Sequence, residues 1–335
     1  MDSEDQLVER TGRAVPSRIG KRARGALRLG IGDDAAVIAP SGHSEWVLTC
    51  DQFLEGVHFL ADSHPPDSVG YKALVRATSD IAAMGASPRF FLLALALPSR
   101  RTGVWLDAVL RGLARAARQL DLRLIGGDTT EIGKVSINIT VLGEIESGHA
   151  ITRAGAKPGD IIYVSGRLGR ARLGLELVRN KLTKTPQFRA LLVPHLFPRI
   201  PLRLGVWLAR HRVPSAMIDI SDGLSTDVGR LCRASHVGAR IWADCIPRPS
   251  IPASLSRRLP RSRLDPLQMA LYGGDDYELL LTVSPRQAKR LRRAPGFRDL
   301  TPIGEITRGK RIILLGTDGA GRILKPGGWD PFRHR

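Results

Sequence analysis

The stretch Ala150-Ile-Thr-Arg-Ala-Gly-Ala-Lys-Pro-Gly-Asp160 is rich in turn-forming residues and has no apolar periodicity, so it reads as a connector between two domains. Before it the pattern runs strand, helix, strand, helix, strand. After it come strands at Ile161 to Ser165, Ala216 to Ile220, Ala239 to Trp242 and Glu278 to Val283, with helices among them. Both halves therefore mix α and β, and the predicted organisation is two α/β (mixed α+β) domains covering 1–149 and 150–335. A chain of 335 residues is long enough for this, since single cores usually stop growing at roughly 250–300 residues.

Bulk properties exclude several classes. With 43% hydrophobic and 25% charged residues, the chain has the composition of a globular protein that can bury a sizeable core. The longest apolar run, Phe90 to Leu97, is far shorter than the roughly 20 residues a membrane helix needs, so no membrane span is expected. The chain opens with Asp2, Glu4 and Asp5 and stays polar, unlike a secretory signal, and a cytoplasmic location is expected. Cys50, Cys232 and Cys245 form no Cys-x-x-Cys pair, which fits a reducing compartment and indicates neither a zinc site nor a redox pair.

The net charge of +19 raises nucleic-acid binding as a candidate. Only nine of the 51 basic residues are Lys, and the Arg residues are scattered: Arg111, Arg115 and Arg118, then Arg199 to Arg212, Arg257 to Arg263 and Arg286 to Arg298. Arg111, Arg115 and Arg118 share a helix face at spacings of three and four, as a solvated helix surface does. A basic surface without a specific nucleic-acid partner is the favoured reading.

The acids are distributed differently. They gather beside glycines and at the ends of apolar runs: Gly32-Asp33-Asp34, Gly126-Gly127-Asp128, Asp219-Ile-Ser-Asp222-Gly223 and Gly273-Gly-Asp275-Asp276. Each alone is ordinary turn chemistry. Four such clusters in a strongly basic chain suggest a dedicated local field. Trp46 to Thr49 reads as a strand ending at Asp51, and Val135 to Ile145 as a half-exposed strand. Leu122 to Ile125 is a short strand running into Gly126-Gly127-Asp128. Ala216 to Ile220 runs likewise into Ser221-Asp222-Gly223, where Leu224, Val228 and Leu231 begin an amphipathic helix. Val69 to Met84 is helical in pattern, with Ala73, Leu74, Ala77, Ile81 and Met84 on one face. Asp80 within it could be an ordinary i,i+4 partner of Arg76.

Several Asp residues converging from different strand ends suit Mg2+, a hard cation that binds carboxylate oxygens and shares its shell with substrate phosphates. No calcium loop is present, and none of the eight His residues forms a ligand-spaced pair on these motifs. The nearest approach to a phosphate-binding glycine loop, Gly304-Glu-Ile-Thr-Arg-Gly309-Lys310, is followed by Arg311 where a hydroxyl should hold the metal. It reads as a basic turn between strands.

Taken in order, the motifs resemble those of the thiamine-monophosphate kinase family, within the aminoimidazole ribonucleotide synthetase-like superfamily. They are Gly30-Ile-Gly-Asp-Asp-Ala-Ala-Val37, Asp51-Gln-Phe-Leu-Glu-Gly-Val-His-Phe59, Tyr71-Lys-Ala-Leu74 with Ser79-Asp-Ile-Ala-Ala-Met-Gly-Ala86, and Gly126-Gly-Asp-Thr-Thr130. The second half adds Thr152 to Asp160, Ile218-Asp-Ile-Ser-Asp-Gly-Leu224 and Gly273-Gly-Asp-Asp-Tyr-Glu-Leu279. The resemblance implies a homodimer whose ferredoxin-like N-terminal halves pair their sheets into a shared barrel, with ATP held in a cleft. It implies several magnesium ions on Asp34, Thr49, Asp51, Asp80 and Asp128 in the N-terminal half and on Asp219 and Asp222 in the C-terminal half. It also implies ATP contacts at Gly127, Asp128, Arg153 and Ser221, and thiamine monophosphate contacts at His58, Asp275 and Trp329. Two positions depart from the family pattern: Cys50 replaces a usual hydroxyl, and Asp275 stands where most relatives carry Glu.

The implied reaction moves the γ-phosphoryl group of ATP onto thiamine monophosphate. The acceptor phosphate has a second pKa near about 6, so no general base is needed at neutral pH. What must be overcome is repulsion between two polyanions, which suits a site rich in Asp with no obvious His or Ser catalyst. The alternatives are another ATP-using enzyme of the aminoimidazole ribonucleotide synthetase-like superfamily and a non-catalytic basic nucleic-acid-binding protein.

Overall fold

The computed structural model describes residues 27–29, 33–38 and 42–332 apart from 295 and 317, together with Gln6. The acidic opening of the chain and Gly30 to Gly32 of the first acidic motif lie outside the described residues. In the N-terminal half, β1 (Leu27–Leu29) and β2 (Ala36–Ile38) lead into β3 (Ser44–Leu54), α1 (Pro66–Ala83), β4 (Ser87–Leu97), α2 (Val104–Leu120), β5 (Arg123–Glu131) and β6 (Ser136–Glu146). The six strands form one sheet in the order β1-β2-β3-β6-β4-β5. Only β4 and β5 pair in parallel, joined by the α2 crossover.

Two strands run further than the sequence reading expects. β3 continues past Asp51 because all of Ser44 to Leu54 pairs antiparallel with Glu146 to Ser136 of β6, so Asp51 lies within a strand. β5 continues through Gly126-Gly127-Asp128, where a turn is expected. There the backbones of β4 and β5 close up at a point only glycine allows, since a Cβ on Gly127 would stand 1.8 Å from the Leu93 carbonyl oxygen.

The second half contains β7 (Ile161–Ser165), α3 (Arg170–Arg179), α4 (Arg189–Leu196), α5 (Leu202–Arg210), β8 (Ala216–Ile220), α6 (Leu224–Ala234), β9 (Gly238–Trp242), α7 (Pro266–Tyr272), β10 (Glu278–Val283), β11 (Leu300–Thr307), β12 (Ile312–Leu315) and β13 (Gly321–Ile323). Its sheet runs β13-β12-β9-β11-β7-β10-β8. The discounted glycine loop is the end of β11 and the turn into β12, as its basic composition suggests.

The sheet of the second half is covered on both faces, which is why β8 and β10 are nearly continuous apolar runs. On one face Ile218 and Leu280 pack with Leu224 and Val228 of α6. On the other, Met217 and Leu281 join a core that includes Leu74, Ala77 and Ile81 of α1 and Val141 of β6. Helix α1 therefore lies between the two sheets, and 14 of its 18 residues are buried rather than the single apolar face read from sequence. That position carries Lys72, Arg76 and Asp80 into the middle of the molecule.

α1 also meets α2 at a glycine crossing. A Cβ on Gly112 would lie 1.8 Å from the Asp67 carbonyl oxygen, and one on Gly70 would lie 1.9 Å from that of Val109. Gly112→Ala is therefore expected to push the helices apart and cost about 2–3 kcal/mol, read as a lower urea midpoint at unchanged slope. An unshifted midpoint would show that the crossing has slack. Next to it, Arg115 departs from the solvated face expected for α2, because its guanidinium lies over the rings of Tyr71 at 4.8 Å and Phe197 at 4.4 Å. Among the described residues no helix is long and apolar enough to cross a membrane.

Candidate active site

Three acids meet where the halves join. Asp34 comes from the turn before β2, Asp80 from the last turn of α1 and Asp219 from β8; one carboxylate oxygen of each lies within 4.8 Å of the others. Each acid is held by a neighbour. Thr49 Oγ1 donates to Asp80 Oδ2 at 2.5 Å, Ser79 Oγ donates to Asp219 Oδ2 at 2.7 Å, and Arg153 Nε donates to Asp34 Oδ1 at 3.1 Å. Asp34 Oδ2 is buried and has no hydrogen-bond partner among the described residues.

Such a cluster is costly without a counter-charge. Burial pushes the Asp34 carboxyl up to about 6 against the pull of Arg153. Burial and the neighbouring Asp34 push Asp219 up to about 7. Asp80 is driven well above the usual carboxylate range by burial, then by Asp219, Asp34 and Asp51. Carboxylate oxygens alone, one of them orphaned, make a donor set for a hard divalent cation.

A cavity of ≈ 790 Å³ opens beside the cluster, and its lining includes Asp80, Asp219, His58, Asp275 and Trp329. Asp51 also lines it, but its partner is Arg76, at 2.6 and 3.2 Å, so the Arg76–Asp80 pair weighed from spacing does not form. Asp222 pairs with Arg230, and its carbonyl accepts the Trp329 N–H at 2.9 Å, which fixes the C-terminal aromatic at the cavity wall. Ser221 Oγ leans toward Asp219 Oδ1 at 3.4 Å. His58 Nδ1 accepts from the Leu54 N–H at 3.0 Å, and its ring stacks on Phe53. Burial and then Arg76 push the His58 pKa down to about 4, so the ring is neutral at pH 7 with its proton on Nε2.

Asp275 sits at a positive φ of 68° after Gly273-Gly274. Burial acts to raise its pKa, but the charges of Lys72 and Arg76 hold it below the usual carboxylate range. It stays an anion at the cavity wall.

The structure thus brings Asp34, Thr49, Asp80, Asp219 and Arg153 together, with Asp51, His58, Ser221, Asp222, Asp275 and Trp329 around the adjoining cavity. Gly127 and Asp128 are not brought there. They lie on the exposed edge strand β5, and Asp128 is in register with Ala94, Asn138 and Gln52, one residue out of step with the row of Gly127, Leu93, Ile139 and Asp51. Strand alternation therefore turns Asp128 to the face away from Asp51. Sequence reasoning missed Lys72, Arg76, His64, His195 and Arg230. Lys72 had one usable signal, its place with Arg76 and Asp80 at spacings of four along α1, a charged stripe on an otherwise apolar stretch.

Residues 32–145 match the family described as AIR synthase related protein, N-terminal domain, and residues 157–316 match its C-terminal domain. The thiamine-monophosphate kinase of Synechococcus elongatus is 38% identical over 299 residues, covering 88% of each chain. That of Escherichia coli K12 is 37% identical over 310 residues, covering 91% of this chain and 92% of its own. Among solved structures, AaThiL complexed with AMPPCP and TMP superposes with a TM-score of 0.82 at 30% identity, covering 98% of this chain and 96% of that one. With both domains matched and the likeness running over nearly its whole length, the chain belongs to the thiamine-monophosphate kinase family, built on the AIR synthase-related pair of domains.

Proposed function

We propose that this protein transfers the γ-phosphoryl group of ATP directly, in line, to the phosphate of thiamine monophosphate, giving thiamine diphosphate. The observation that carries the reading is the convergence of Asp34, Asp80 and Asp219, two of which line a cavity that Trp329, His58 and an ionised Asp275 also line. The acids suit the polyphosphate side of the reaction. Trp329 offers a flat face to the cationic thiazolium, an attraction of roughly 0.5 to 2 kcal/mol, and Asp275 adds a fixed anion close by.

Asp34, Asp80 and Asp219 would hold Mg2+, with Thr49, Asp51 and Asp222 completing the sites for several ions; Asp128, turned to the other face of the sheet, is assigned to the metal on its motif alone. Bound magnesium would supply the positive charge that lets two polyanions approach. The remaining work falls to the chain itself. Arg153 neutralises phosphate oxygens, Ser221 donates to them, and His58 offers its Nε2 proton to the acceptor substrate. Gly127 and Asp128 are assigned to ATP on their motif alone. Domains at 1–149 and 150–335, a cytoplasmic homodimer pairing its N-terminal sheets into a barrel, and no nucleic-acid partner complete the reading.

The test is product analysis after mixing protein, ATP, magnesium and thiamine monophosphate, with Asp128→Asn as a control on the motif assignment. Thiamine diphosphate and ADP in equal amounts are expected, with inversion at a chiral γ-phosphate. Retention would point to a covalent enzyme intermediate and overturn direct transfer. Salt-sensitive RNA or DNA affinity without ATP turnover would favour a nucleic-acid-binding protein instead.

A further inference from the structure

Lys72 projects from the middle of α1 with its side chain only 2% exposed. A buried ammonium is tolerated only where partners satisfy it, so its partners are informative. Nζ lies 2.6 Å from Asp275 Oδ2 and 3.5 Å from His195 Nδ1. His195 Nε2 is 3.0 Å from His64 Nε2, and His64 Nδ1 is 3.1 Å from the Leu60 carbonyl oxygen. An ammonium can only donate, so His195 Nδ1 must accept. His195 Nε2–H then donates to His64 Nε2, which places the His64 proton on Nδ1, 3.1 Å from both the carbonyl oxygen and the nitrogen of Leu60. The buried chain thus links Lys72 to the backbone of the segment that carries His58.

The other end is equally constrained. Asp275 Oδ1 accepts from the Tyr277 hydroxyl at 2.6 Å, and the Asp275 N–H donates to the Ser221 carbonyl at 2.8 Å. Asp275 and Tyr277 both adopt left-handed φ, at 68° and 52°, which non-glycine residues keep only when their surroundings hold them there. Asp275 nevertheless keeps 31% of its side chain exposed and lines the cavity.

We propose that Lys72 is a positioning residue for the acceptor substrate, clamping the Asp275 turn on one side and, through His195 and His64, the His58 segment on the other. The inference rests on the reading that this cavity takes thiamine monophosphate. Lys72 does not touch the substrate; it fixes where the Asp275 carboxylate stands.

The test compares kcat and both KM values for wild type, Lys72→Met, Lys72→Arg, Asp275→Asn and the double variant Lys72→Met/Asp275→Asn. Lys72→Met is expected to raise the KM for thiamine monophosphate at least about tenfold, with kcat within about threefold and the KM for ATP within about twofold. Lys72→Arg keeps the charge and recovers most of the loss. The double variant should match Asp275→Asn alone, because Lys72 acts through that carboxylate. If Lys72→Met fails to fold around the unpaired Asp275 anion, the double variant removes that charge and supports the same comparison. An unchanged KM for thiamine monophosphate, equal rises in both KM values, or a double variant worse than Asp275→Asn would each overturn the role of Lys72. A wild-type protein that does not phosphorylate thiamine monophosphate would instead bring down the substrate reading beneath it.

Discussion

Asp80→Asn is expected to lower turnover of thiamine monophosphate by about 10³-fold or more while leaving the melting temperature of the metal-free protein unchanged or slightly raised. The two halves of that expectation share one cause. Burial, followed by the charges of Asp219, Asp34 and Asp51, drives the Asp80 pKa well above the usual carboxylate range. In the metal-free protein these neighbours favour the protonated form of Asp80, which Asn resembles in shape and charge. Asn Oδ1 can keep the hydrogen bond from Thr49, so the fold loses little. A divalent cation needs the carboxylate, so its binding favours the ionised form over the protonated one. The variant should thus show a smaller rise in melting temperature on adding magnesium than wild type does. Wild-type turnover by the variant, or an undiminished magnesium shift, would mean that the three-acid cluster is not the metal centre.

How much of this was legible in the chain depended on the range of the signal. β8, its Ser221-Asp222-Gly223 turn and α6 follow from local pattern: an apolar pentapeptide, a glycine turn, then a 3.6-residue period from Leu224. β3 was cut short because the apolar run stops at Thr49. Yet Phe53 is buried and two residues beyond Asp51, so the alternation that defines the strand continues through the acid. Gly126-Gly127 resembled a turn because glycine is read first as a turn residue, whereas its use here is to let two parallel backbones meet.

The site itself was only partly visible. No spacing rule connects Asp34, Asp80 and Asp219, which come from a turn, a helix and a strand. Their grouping was legible only as an ordered set of motifs resembling a known family. Pairing within the cluster escaped even that, since helix spacing offers Arg76 to Asp80 while packing against β3 gives it to Asp51. Lys72 was hidden by its residue type, because lysine is rarely buried and nothing local announces that His195, on α4, will meet it.

The same buried chain leads to the second large effect. Between pH 7 and pH 4 the wild-type protein is expected to lose on the order of 3 kcal/mol of stability relative to His64→Gln. The sign follows from proton binding. An unfolded His titrates near 6.5, whereas burial and then the Lys72 charge push His64 down to about 4 in the folded protein. In that window the unfolded chain binds more protons, so the stability His64 contributes is complete above pH 6.5 and is lost as pH falls through 4. Asp34 at about 6 and Asp219 at about 7 act in the opposite direction, as do the buried Asp276 at about 8 and Glu278 at about 7. A single melting curve against pH therefore sums opposing contributions. Subtracting the variant's curve removes the acids, which both proteins share, and leaves the histidine. His64→Gln is suited to this because its amide can donate to the Leu60 carbonyl without titrating. Urea unfolding of both proteins at half-unit pH intervals gives the difference directly. Two curves that stay parallel down to pH 4 would mean that His64 does not fold as the neutral ring, and its part in the buried chain that begins at Lys72 would have to be abandoned.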